Sequence, residues 1–174
     1  LPHLAGAFDV VLPDLPGFGA SPDPAPSPTV EAYAAALAGL LDELGLGQVC
    51  LAGHSMGGYV CLAFARLFPQ RLLGLGLVAS QALDDSPERK AGRYQTAAQV
   101  QEQGVRVVAD AMAPKLSADP AHVPMLHGLI LGQRVPGVVA GLHLMAGRPD
   151  SSASLPAFEF PVVLVHGQAD ALIP

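Results

Sequence analysis

The stretch VCLAGHSMGGYVCLAF, residues 49 to 64, sets a polar His54–Ser55 pair between two apolar runs. Val49-Cys50-Leu51-Ala52 is short, apolar and β-branched at its start, which suits a strand buried on both faces. From Met56 to Phe68, the residues Tyr59, Val60, Ala63, Phe64 and Leu67 recur at helical spacing, and Pro69 closes the run. The polar residues therefore occupy a strand-to-helix turn of only a few residues. Gly53, Gly57 and Gly58 let the backbone turn so sharply that Ser55 must point outward.

The rest of the chain extends this unit. FDVVL, Phe8 to Leu12, reads as a strand, and a loop rich in proline and glycine follows it. TVEAYAAALAGLLDELGLG reads as a helix with Thr29 (or Ser27) as N-cap and Gly45 as its stop. Its buried stripe is Val30, Tyr33, Leu37, Leu41 and Leu44. LLGLGLVAS is a third buried strand. Strand, helix, strand, helix, strand is the order of an α/β fold with a mostly parallel sheet flanked by helices.

Residues 81 to 155 change character. Ser86 and Pro87 open a helix that Gly104 ends, and VRVVADAM, MLHGLILGQ and PGVVAGLHLMAG form further short helices. FPVVLVHGQAD then restores a buried strand, Val162 to Val165. The expected division is a core over 1–80, an inserted helical lid over 81–155, and a core strand with its loop over 156–174.

Composition narrows the function classes. Of 174 residues, 51% are hydrophobic and 14% charged, which favours a packed fold over disorder, and no run of 18 apolar residues suggests a membrane span. The net charge of −6, with no basic cluster and no tryptophan, argues against a nucleic-acid partner. Cys50 and Cys61 read as small buried hydrophobes in a reducing compartment, so a cytoplasmic location is expected. No CxxC or HExxH pattern points to a metal, and no cofactor is expected. The start at Leu1 has no charged leader-like region, and both ends read as cut from a longer protein.

Three segments in order, DLPGFGAS (14–21), GHSMGG (53–58) and VLVHGQADALIP (163–174), resemble the α/β-hydrolase superfamily. The insertion, with AMAPKL and MAGRPDS, resembles small-lid members such as 3-oxoadipate enol-lactonase and related carboxylester hydrolases. Gly53-His54-Ser55-Met56-Gly57 is then a Gly-x-Ser-x-Gly elbow with Ser55 as nucleophile. The resemblance implies that the Met56 backbone N–H is one oxyanion donor. It assigns Asp170 as the acid that orients a catalytic imidazole. Asp84 and Asp85 occupy the other position where some hydrolases carry that acid. Asp14 reads as a structural residue that fixes the glycine loop.

The order Ser, Asp, His requires a base after Asp170, and no histidine follows it. The catalytic histidine is therefore expected outside this chain, as is the second oxyanion donor, whose loop in the family precedes the segment starting at Leu1. His54 and His166 read as supporting residues. His3, His122, His127 and His143 have no motif around them, though a lid histidine that touches substrate is an open alternative. The family pattern also implies a further strand between Phe8–Leu12 and Val49–Ala52.

The resemblance implies hydrolysis of a small-molecule carboxylic ester or lactone through an acyl-serine. C–C bond hydrolysis, cofactor-free perhydrolysis and a catalytically silent ligand-binding role are alternatives on the same scaffold. Seven of the nine Lys and Arg residues fall in the expected lid. An anionic substrate is thus one option, with Arg93 and Arg148 as candidate carboxylate binders. Solvated helix faces are the other.

Overall fold

In the computed structural model, residues 2–25, 28–170 and 172–173 are described. The helices are α1 (Pro2–Ala5), α2 (Val30–Glu43), α3 (Met56–Leu67), α4 (Pro87–Gln103), α5 (Arg106–Met112), α6 (Val123–Leu131) and α7 (Val135–Gly147). The strands are β1 (Val49–His54), β2 (Leu72–Val78) and β3 (Val162–Val165), which pair in that order. Both pairings are parallel, so all three carboxyl ends lie along one edge of the sheet. The register places His54 beside Val78 and Val78 beside Val165.

Local chemistry sets the helix limits. The Thr29 hydroxyl accepts from the Ala32 N–H at 3.1 Å and caps α2. Gly45, at φ +66°, ends it: the Gly45 N–H donates to Asp42 O and the Leu46 N–H to Leu41 O, a Schellman closure. Ser86 caps α4 through the Arg89 N–H, and Gly104 at φ +82° stops it. The main core lies where α2 and α3 pack on the sheet. Val30, Tyr33, Leu41, Leu62, Phe64, Leu75 and Leu77 are buried there. A smaller core joins α4 to α7 through Ala97, Val100 and Val139. Helices α4 to α7 fall between β2 and β3 in the chain, so they form an all-helical insertion into the strand order. No single described helix is long and apolar enough to cross a membrane.

Three expectations are corrected. Residues 8–12 form no strand, and Phe8 and Leu12 are exposed, because a strand exists only through a ladder and none of the described strands pairs with them. Strand β1 is buried on one face rather than both. Leu51, Leu75 and Leu77 join the core lined by α2 and α3, while Cys50, Ala52 and His54 alternate onto the exposed side. Cys50 is therefore exposed, and β3 is exposed along its whole length; Cys61 is buried as expected. In α2 the buried stripe is Val30, Tyr33, Ala34, Ala38 and Leu41, and Leu44, at the helix's C-cap, is exposed.

Candidate active site

Ser55 sits between the end of β1 and the first residue of α3, with φ 51° and ψ −115°. Few residues other than glycine adopt a positive φ, and such strain clusters at functional sites. Its backbone is held on both sides: its N–H donates to Val78 O at 2.9 Å, and its carbonyl accepts from the Gly58 N–H and the Ser80 hydroxyl at 2.9 and 3.0 Å. Two glycines are required by close approach. A Cβ on Gly53 would lie 2.3 Å from the Gly57 backbone, and one on Gly58 would lie 2.2 Å from the Ser80 hydroxyl. Gly57 itself faces open space.

The same conformation removes Ser55 from the work a serine usually does at a helix start. Its hydroxyl makes no capping bond to α3. Among the described residues its side chain makes no cap bond at a helix N-terminus, where the backbone N–H groups of the first turn have no intrahelical acceptor. Met56 supplies the first of those N–H groups.

Asp170 lies in the loop after β3, at the same carboxyl edge of the sheet as Ser55. Its Oδ1 accepts from the Leu172 and Ile173 N–H groups at 2.9 and 3.1 Å. Those peptide N–H bonds, Ile173 foremost, hold its carboxyl below the usual aspartate range, and the charges of His166 and His54 act the same way. His166 Nε2 is 3.4 Å from Asp170 Oδ2 and 2.8 Å from Ile173 O, so it braces the acid's own loop. Among the described residues the histidine side-chain hydrogen bonds go to Ser117, Asp110 and Ile173, and none reaches Ser55.

The alternative acids have other partners. Asp84 pairs with Lys90 at 2.6 Å. Asp85 is buried between the Arg93 and Arg148 guanidinium groups, Arg148 at 2.8 Å. Burial alone would raise its carboxyl, but hydrogen bonds from Arg148 and Arg93 outweigh that and hold it at about 2. This corrects the reading of Arg93 and Arg148 as carboxylate binders for a substrate: Asp85 already takes both. Asp14 accepts from the Ala20 N–H at 2.9 Å and packs against Gly19, at φ +50°, as a loop-fixing residue should.

Two features here had no local signal in the sequence. Ser80 follows β2 and its hydroxyl supports Ser55 from 25 positions away, next to Ala79, at φ 44°, whose N–H donates to Val165 O. Helix α7 reaches the elbow by glycine contacts. A Cβ on Gly141 would lie 3.2 Å from Met56 Sδ and 3.3 Å from Phe18 Cζ, and one on Gly137 would lie 2.1 Å from Gly17 O.

A family model described as alpha/beta hydrolase fold matches residues 1–128. An esterase from Thermogutta terrifontis, solved with malate bound, is 41% identical with a TM-score of 0.94, covering 99% of this chain and 66% of that one. The enol-lactonase from Burkholderia xenovorans LB400 is 25% identical with a TM-score of 0.79, covering 89% of this chain and 60% of that one. A dihydrolipoyllysine-residue acetyltransferase component of an acetoin cleaving system, from Pseudomonas putida, is 34% identical over 99% of this chain and 48% of its own length. The chain thus spans about half of that relative and 60 to 66% of the two solved neighbours. With a parallel sheet flanked by helices and a family match across most of its length, the chain belongs to the α/β hydrolase fold family.

Proposed function

We propose that the protein hydrolyses a small carboxylic ester or lactone through an acyl-serine formed on Ser55. The observation that carries this reading is the Ser55 backbone at φ 51°, ψ −115°, with a hydroxyl that caps nothing. A hydroxyl so placed at the start of α3 attacks a carbonyl carbon while the Met56 N–H and the helix dipole take up the oxyanion charge. Asp170, kept ionised by two peptide N–H groups, orients the imidazole that removes the serine proton and stabilises it once charged. None of the six histidines in these residues is assigned that role; in this reading the base comes from sequence beyond Asp170. Helices α4 to α7 act as the roof over the acyl group, with α7 nearest the elbow. The likeness to an esterase over 99% of the chain supports ester hydrolysis as the reaction class.

The test is Ser55→Ala in the full-length protein with p-nitrophenyl acetate. Turnover should fall by about 10⁵-fold, the scale set by loss of a triad serine. Retention of more than about a tenth of the activity would remove Ser55 from the mechanism.

A second reading follows from the match to an acetyltransferase component over nearly the whole chain. The same acyl-serine would pass its acyl group to a thiol rather than to water. Dihydrolipoamide added to the acetate assay separates the two: thioester formed in place of free acetate favours transfer.

A further inference from the structure

Both loops that connect the helical insertion to the sheet converge on one buried charge cluster. Asp85, in the loop entering α4, is fully buried at its side chain, and Arg148, the residue after α7, is 3% exposed. Arg148 Nη2 donates to Asp85 Oδ1 at 2.8 Å and to Leu83 O at 3.0 Å, while Nη1 donates to Met145 O at 2.7 Å. Arg93 of α4 donates to the other Asp85 oxygen, and Arg89 stands 3.8 Å away at the rim. The Arg148 guanidinium carbon lies 4.0 Å from the centroid of the Tyr59 ring. Tyr59 is in the first turns of α3, four residues past Ser55.

The arrangement exceeds what anchoring a helix end requires. Arg148 Nε is buried without a hydrogen-bond partner among the described residues, a costly choice where an apolar residue would pack. What the arginine gains is direction: a planar fork fixed by three acceptors, with its face on an aromatic ring of the elbow helix. From Arg148 back to Gly141 is seven residues, about two helical turns or roughly 10 Å. At Gly141, α7 meets Met56 and Phe18 with no side chain between. The helix is thus pinned to the elbow helix at one end and lies against the elbow at its middle.

We propose that Arg148, through Asp85 and Tyr59, is a positioning residue that sets how closely α7 lies over the elbow. It thereby limits the size of the acyl group that Ser55 accepts. The inference rests on the ester-hydrolase reading. Arg148 touches no reacting atom. Its removal widens the space beside Met56 and leaves the nucleophile, the oxyanion donor and the acid in place.

The experiment uses the full-length protein with Arg148→Met, Arg148→Lys and Gly141→Ala. A small fluorophosphonate that labels Ser55 in the wild type first establishes the hydrolase reading. For Arg148→Met, kcat/KM on p-nitrophenyl acetate should stay within about threefold, while the octanoate-to-acetate ratio rises about tenfold, chiefly through KM. Arg148→Lys should restore part of the ratio. Gly141→Ala, which leaves the charge cluster intact and adds one methyl against Met56, should lower the ratio by about threefold or more. Hydrogen exchange of the α7 amides should quicken in Arg148→Met relative to α2, and this arm needs no turnover. An equal loss on both esters, or an unchanged ratio with unchanged exchange in α7, overturns the proposal. If Arg148→Met does not fold, Gly141→Ala decides: an unaltered ratio overturns it. Absence of Ser55 labelling in the wild type refutes the hydrolase reading, whereas unaltered α7 exchange refutes the positioning of α7.

Discussion

At Ser55 the backbone conformation and the chemistry compete. A serine at φ 51° costs about 1–3 kcal/mol relative to an unstrained residue, and two backbone hydrogen bonds and one from the Ser80 hydroxyl hold it there. Glycine accepts the same angles without that strain. Ser55→Gly should therefore raise stability by about 1 kcal/mol, a shift of some 2–4 °C in Tm, while abolishing ester turnover. Thermal unfolding beside p-nitrophenyl acetate hydrolysis checks both halves; a fall in Tm would mean that the strain is not there. Asp170→Asn should lower kcat by about 10⁴-fold in the full-length protein, because an amide in place of the carboxylate selects the wrong imidazole tautomer. A near-neutral result there, with Asp84→Asn or Asp85→Asn crippling under conditions where both fold, would place the acid after β2 instead. The elbow was legible in the sequence because its constraints are local: Gly53 and Gly58 lie within three residues of Ser55. Ser80 was not, since nothing near it announces that its hydroxyl meets the Ser55 carbonyl.

At the scale of elements, helix caps and the bounds of β3 were read correctly, whereas the α2 stripe was not, since Ala34 and Ala38 are buried and Leu44 is exposed. Thr29, Gly45, Ser86 and Gly104 bound α2 and α4 as expected, and β3 occupies the expected Val162–Val165. Phe8–Leu12 failed because its apolar run describes a willingness to pair, and pairing depends on a partner elsewhere. Arg93 and Arg148 failed for a similar reason: helical spacing cannot show that a guanidinium will be spent on a buried aspartate from another loop. That cluster has its own pH signature. A carboxylate whose pKa falls on folding, from an ordinary 3.8 to about 2 for Asp85, contributes stability above its unfolded value. The contribution is lost as pH drops through the folded one. Asp85→Asn should cost about 3 kcal/mol near neutrality by leaving two guanidinium groups without their anion. The gap to wild type should be flat above about pH 5 and narrow from about pH 4 to pH 2. Urea midpoints across that range test it, and a gap that persists unchanged at pH 2 would contradict the assignment.

At the largest scale, β3 lies 43 to 73% exposed among the described residues, with four consecutive apolar residues, Val162 to Val165. Apolar area of that kind on a strand edge is an invitation to pairing and association. The 174 residues produced alone should therefore bind an apolar dye such as ANS and associate with rising concentration. A monomer that melts in one sharp transition and excludes the dye would refute this. The contact between Gly17 and Gly137 carries a different kind of consequence. Two backbones from segments 120 positions apart touch where neither tolerates a Cβ, 2.8 Å on one side and 2.1 Å on the other. A side chain at either position would force the loop and α7 apart, so any relative that keeps this contact should carry glycine at both places.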